Sequence, residues 1–173
     1  PIMLTVDDLS GCKYSPATFT TDLWGGDGNY TFNWHPGSQL FDATIKEPTV
    51  KNVLWNQNYT INVSDGNGLT AIDYAMLTLI NPPVVTLDPF ELYSNAVLNV
   101  NLTTLITYIS DPAATQYWHY TEGGTTYNSN DDFDYENAPL RQPFGMRRFY
   151  LQATNSDGCT SLPKYTNTFR LFS

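Results

Sequence analysis

Tyr30-Thr31-Phe32-Asn33-Trp34-His35 alternates without a break: Tyr30, Phe32 and Trp34 fall on one face, and Thr31, Asn33 and His35 on the other. Successive side chains of a strand point to opposite faces, so this is the pattern of a half-buried β-strand. Tyr59-Thr60-Ile61-Asn62-Val63-Ser64 repeats it, with Tyr59, Ile61 and Val63 inward. Turn-forming residues bracket both runs: Gly25-Gly26-Asp27-Gly28-Asn29 precedes the first, and Asp65-Gly66-Asn67-Gly68 follows the second. Helical periodicity is absent nearly everywhere, so an all-β chain is expected.

The pattern recurs downstream. Trp118-His119 matches Trp34-His35, and Phe149, Leu151 and Ala153 match Tyr59, Ile61 and Val63, with Gly158 in the place of Gly68. The second copy has more residues between its Trp and its later strand. The acidic stretch Asp131-Asp132-Phe133-Asp134-Tyr135-Glu136 lies in that interval and is the natural insertion. This is a diverged internal repeat. Between the copies stands Asn81-Pro82-Pro83-Val84, and two prolines make a short, stiff connector. The expected domains are therefore 1–81 and 82–173, the second with its acidic insert near 128–140, joined as a short rod.

Composition agrees. The 173 residues hold 12 Tyr and 14% aromatics but only 14% charged residues, which is strand-and-turn usage. Seventeen acidic and eight basic residues give a net charge of −9. That argues against nucleic-acid binding, which needs clustered Lys and Arg, and Arg147-Arg148 is the one local cluster. No apolar run is long enough for membrane insertion, and no signal peptide is present. Pro1-Ile2-Met3-Leu4 opens on strand-like residues, as expected of an excised or processed fragment. Two cysteines without CxxC or Cys/His spacing exclude a zinc site of the usual kind.

A core Trp followed by a strand that opens with Tyr and closes in Asp-Gly suggests an immunoglobulin-type sandwich. The wording from Gly25 to Trp34 and from Asn58 to Gly68 resembles the PKD-like repeats of large Bacteroidetes surface proteins. Ala153-Thr154-Asn155-Ser156-Asp157-Gly158-Cys159 and the Asn81-Pro82-Pro83 junction look like the same family. The resemblance covers most of residues 10–80 and, more weakly, 84–172. It implies two tandem immunoglobulin-like (PKD-like) β-sandwich domains from an adhesin, a spacer of a secreted hydrolase or a glycan-binding protein, exported by the type IX route. It also implies a cysteine near the first strand paired with one after the Asp-x-x-Gly turn. Here Cys12 holds the early position of the first copy, with Leu69 where its partner would stand, and Cys159 holds the late position of the second. One disulfide between the two, or a pair of free, buried thiols, both remain open.

No catalytic constellation emerges. His35 and His119 each follow the strand Trp, and a repeated outward position is explained by the repeat. No HExxH or Gly-x-Ser-x-Gly elbow occurs. A glycosidase carboxylate pair wants a long cleft, which a sandwich of roughly 85 residues rarely provides. The chain is therefore not expected to be an enzyme.

Asp131, Asp132, Asp134 and Glu136 are candidate calcium ligands, since Ca²⁺ takes six to eight oxygens from a flexible loop; they lack EF-hand spacing, and a solvated acidic loop is the competing expectation. Calcium is the only cofactor considered. Trp24 and Trp55, beside Gly25 and Asn56, are candidate glycan-stacking residues, set against a core or sheet-edge role. Tyr117, Tyr120 and Tyr127 around Gly123-Gly124 form a rival patch. Sequons occur at Asn29, Asn58, Asn62 and Asn101, with Asn62 outward.

The expected role is a structural or adhesive module of a larger extracellular or cell-surface protein. Its partners are other domains of that protein and a glycan or protein ligand on another surface. A carbohydrate-binding module and a subunit of a surface fibre are the two alternatives.

Overall fold

The alternating runs become strands in the computed structural model, which describes residues 1–88, 93–94, 98–129, 131–140, 146–166 and 169–171. The chain is all-β, and it divides into two compact units, Pro1–Asn81 and Pro82–Ser173.

The first unit contains β1 (Ile2–Val6), β2 (Leu9–Cys12), β3 (Ala17–Thr18), β4 (Thr21–Gly25), β5 (Thr31–His35), β6 (Thr49–Val50), β7 (Gln57–Ser64) and β8 (Thr70–Ile80). One sheet has the order β2-β8-β7-β5, with β2 parallel to β8 and the remaining pairs antiparallel. The pairs β1-β4 and β3-β6 supply the rest. The chain passes from one sheet to the other between β1 and β2, and carboxylates hold it there. Val6 N–H donates to Asp73 Oδ2 and Met76 N–H to Asp8 Oδ1, each at 2.8 Å.

The core joins the inward residues of the four-stranded sheet, Trp34, Tyr59, Ile61, Val63, Ala75 and Leu77, to Val6 and Val50 of the smaller pairs and to Phe19, which lies between β3 and β4. Phe19 stacks on Trp34 at 4.9 Å and meets Tyr59 edge-on at 5.2 Å. These rings bury the most apolar surface per residue in the unit, which is the main force holding its layers together. The result is an immunoglobulin-like β-sandwich.

The second unit contains β9 (Val85–Leu87), β10 (Tyr93–Ser94), β11 (Leu98–Val100), β12 (Ile106–Ile109), β13 (Thr115–Glu122), β14 (Thr125–Asn128), β15 (Ala138–Leu140), β16 (Met146–Arg147), β17 (Phe149–Thr154), β18 (Lys164–Tyr165) and β19 (Phe169–Leu171). Its four-stranded sheet runs β14-β13-β17-β18, beside β9-β12, β11-β15 and β10-β19-β16. Trp118, Tyr120, Phe149, Leu151 and Ala153 fill the core, with Leu102 and Leu105 from a 3₁₀ turn, Leu102–Leu105.

Register makes the repeat structural. Trp34 stands opposite Ile61 across β5 and β7, and Trp118 stands opposite Leu151 across β13 and β17. The copies differ at the end of that first strand. β5 stops at His35, whereas β13 continues to Glu122 and returns through Gly123-Gly124 as β14. Part of the extra length of the second copy is thus a hairpin that precedes the acidic stretch.

Candidate functional site

The turn that closes each repeat shows where much of the local polar chemistry goes. Asp65 Oδ1 accepts from Asn67 N–H (3.0 Å) and Leu69 N–H (2.9 Å), and Gly68 N–H donates to Asp65 O. Asn155 Oδ1 accepts from Asp157 N–H (3.1 Å) and Cys159 N–H (2.9 Å), and Gly158 N–H donates to Asn155 O. Gly68 and Gly158 both have φ of +82°, a left-handed conformation that favours glycine. In the first unit the turn is also tied to the Gly25–Asn29 loop. Asp27 N–H donates to Asp65 Oδ2, and Gly66 N–H donates to Asp27 Oδ1. In a separate loop, the Thr44 hydroxyl and then its N–H donate to Asp42 and hold that carboxyl below the usual carboxylate range.

The acidic insert splits by side-chain type. Phe133 and Tyr135 pack against the core, with Phe133 5.2 Å from the Tyr120 ring. Asp132 Oδ2 accepts from Asn128 N–H, and Asp134 caps the short turn Tyr135–Asn137 by accepting from Glu136 N–H. Asp131 and Glu136 are exposed. Among the described residues, no three Asp, Glu, His or Cys side chains converge where they could hold a metal ion. Asn130, inside the expected insert, lies outside the described residues.

Trp24 is 66% exposed on β4, directly across from the exposed Met3. Trp55 is 48% exposed in the segment before β7, where its indole N–H donates to Gln57 Oε1. The tyrosine patch around Gly123-Gly124 needs correction. Tyr120 is buried at 7% exposure, stacked on Tyr127 at 4.8 Å, because it shares the inward phase of Trp118 two residues earlier. The free-thiol alternative is also overturned: both Cys12 and Cys159 are disulfide-bonded. Cys159 is fully buried at the turn position where the first copy has the exposed Leu69.

The surface that sequence reading missed is the outer face of the four-stranded sheets. In the first unit, His35, Thr60 and Tyr74 stand in one cross-strand row, and Asn33, Asn62 and Ile72 in the next. Tyr74 is 68% exposed and Ile72 and Met76 are exposed beside it. The signal was present: Ile72, Tyr74 and Met76 recur at every second position of β8, on the phase opposite to Ala75 and Leu77.

In the second unit the equivalent row is Asn128, His119, Tyr150 and Tyr165. His119 Nδ1–H donates to Asn128 Oδ1, its ring stacks on Tyr150 at 4.7 Å and 23°, and Tyr150 lies 5.2 Å from Tyr165. The Arg148 guanidinium caps the Tyr165 ring at 4.6 Å. Both histidines therefore lie on the outer face, opposite the tryptophans.

No protein-family model matches the chain, and no curated protein matches it. Solved structures do resemble it. The fibronectin(III)-like modules of Clostridium thermocellum CbhA align at 14% identity and a TM-score of 0.39, over 98% of this chain and 94% of that one. The N-terminal Ig1-2 module of the Drosophila receptor protein tyrosine phosphatase DLAR aligns at 15% identity and 0.35, over 99% and 98%. Extracellular domains 3-5 of Drosophila OTK align at 14% identity and 0.44, over 99% of this chain and 61% of that one. At these scores the likeness is distant, and the immunoglobulin-like assignment stands on the strand order and core of the chain itself.

Proposed function

We propose that the chain is a non-catalytic structural and adhesive module. It consists of two tandem immunoglobulin-like, PKD-like domains of a larger secreted or cell-surface protein, which space its other domains and present loops to a partner. What supports this is the duplication itself. The same Trp-centred strand pair and the same side-chain-locked turn occur in both units, as expected of a repeated module whose conserved parts serve packing. Deleting residues 1–173 from the parent protein tests it. Attachment under shear, or surface display of the parent, is expected to fall; unchanged attachment together with unchanged display would overturn the proposal.

A second function, carbohydrate binding, is favoured by one observation: Trp24 and Trp55 expose large aromatic surfaces. It predicts a polysaccharide that quenches tryptophan fluorescence and loses affinity with Trp24→Ala or Trp55→Ala.

A further inference from the structure

The two units carry the same row of residues on the same face, with one position changed. His35 corresponds to His119, Thr60 to Tyr150 and Tyr74 to Tyr165, each triplet directly paired across three strands. In the second unit the middle position is filled: the Tyr150 ring stands between the imidazole at 4.7 Å and the Tyr165 phenol at 5.2 Å. In the first unit the middle position is a threonine. The strands bearing His35 and Tyr74 are two strand spacings apart, about 9.5 Å, which is room for one flat ring between two others. Among the described residues, neither the His35 nor the Tyr74 ring stacks on another ring. The second unit thus contains, in its own Tyr150, a stand-in for what fits the slot.

The surroundings select the chemistry of the occupant. None of the outward positions of β5, β7 and β8 holds Asp, Glu, Lys or Arg, in a chain of net charge −9. These three strands set no carboxylate, ammonium or guanidinium beside the slot to pair an ion, so they suit a neutral ligand. Asn33, Asn58 and Asn62 are exposed around the slot, and their amide side chains make no hydrogen bond within the described residues. An amide both donates and accepts, as a sugar hydroxyl does. A pyranose ring presents C–H groups on both faces to the two rings and hydroxyls at its rim to the amides. An aromatic side chain from a protein would fill the slot but leave the amides unmatched.

We propose that the first unit binds one pyranose ring of a neutral glycan over Thr60, between His35 and Tyr74. This rests on the adhesive role and supplies its ligand class. Its failure is separable, because deletion in the parent protein reads attachment and display, whereas the slot is read on the chain alone.

The test titrates the whole 173-residue chain with cellohexaose, laminarihexaose, chitohexaose and mannohexaose, each up to ~10 mM, which saturates a millimolar Kd. At least one is expected to bind, with one site per chain and with amide shifts in NMR spectra centred on His35, Thr60 and Tyr74. Thr60→Tyr fills the slot as Tyr150 does, on a strand that favours aromatics. It should weaken binding by roughly tenfold or more while leaving the unfolding midpoint in place. Tyr150→Thr empties the equivalent position of the second unit, where Tyr117, Gln152 and Arg148 replace Asn33, Asn62 and Asn58 and Arg148 caps Tyr165. The stoichiometry should therefore stay at one site. Three results would each overturn the proposal: no shift at those three residues with any of the four sugars, Thr60→Tyr binding like the parent chain, or an uncharged tyrosine-containing peptide occupying the slot while the sugars do not. Loss of sugar binding with Trp24→Ala or Trp55→Ala, but not with Thr60→Tyr, would overturn the slot and leave the tryptophan surface as the site.

Discussion

Asp65 shows how much one side chain can hold. Its two oxygens accept from three backbone N–H groups, Asn67, Leu69 and Asp27, and it is only 8% exposed. Asn155, at the same place in the other unit, accepts from Asp157 N–H and Cys159 N–H inside its own turn, and its amide carries no charge. Hydrogen bonds to a charged group contribute about 1.5–3 kcal/mol, and stranding buried donors adds to the loss. Asp65→Ala is therefore expected to cost about 2–3 kcal/mol and Asn155→Ala about 1–2 kcal/mol, read from urea unfolding curves. Asp65→Asn keeps an acceptor at Oδ1 and should fall between them. Tyr59 makes a different prediction. Burial among apolar neighbours disfavours its phenolate and raises its pKa above the ordinary value of 10.0. The folded chain then holds that proton more tightly than the unfolded one. The stability linked to Tyr59 is complete below pH ~10 and is lost as pH rises above it. Tyr59→Phe should flatten that alkaline loss, measured as the unfolding midpoint against pH, and leave neutral-pH stability nearly unchanged.

The hairpin between β13 and β14 turns on two glycines, Gly123 with φ +56° and Gly124 with φ +80°. Two successive left-handed residues are the requirement of a tight two-residue hairpin turn. A side chain at either would meet no atom within 4 Å, so only backbone conformation is at stake. Gly124→Val should cost about 1–2 kcal/mol, whereas Gly123→Asn should be nearly neutral, because Asn visits this region readily. The turns at Gly25–Asn29 and Asp65–Gly68 were legible from the sequence, as were the strands around Trp34, Tyr59, Trp118 and Phe149, because one face of each is polar and the period is unmistakable. The Gly123-Gly124 hairpin was not, because its two glycines stood inside a run of tyrosines that suggested a surface patch. β8 was harder: Ile72, Tyr74 and Met76 are apolar on the outward phase, so alternation could not say which face was buried. The row His35–Thr60–Tyr74 was invisible for another reason, since it exists only through the register of three strands. Tyr120 could have been placed inside, because it keeps step with Trp118. The burial of Cys159 against the exposure of Leu69 could not, because the two turns are alike locally and differ only in what packs on them.

Each unit has its own buried cluster, and the two clusters share no residue. Cooperative unfolding follows a shared core, because removing one member exposes the rest. Two separate cores predict two thermal transitions in calorimetry of the whole chain, each answering to its own tryptophan. Trp34 is 2% exposed, stacked on Phe19, and donates its indole N–H to Ile45 O; Trp118 is fully buried and donates to Gln116 Oε1. Replacing a buried Trp with Ala typically costs 3–5 kcal/mol, and a domain of this size shifts by roughly 4–8 °C per kcal/mol. Trp34→Phe is the gentler variant: it keeps a ring against Phe19 and loses about 1–2 kcal/mol with the indole hydrogen bond. Trp34→Phe should therefore lower one transition and leave the other in place, and Trp118→Phe should do the converse. If either substitution moved both transitions together, the units would be thermodynamically one body. A slot on the first unit could then no longer be altered without the second unit responding, and the Thr60→Tyr and Tyr150→Thr variants would have to be read as a pair.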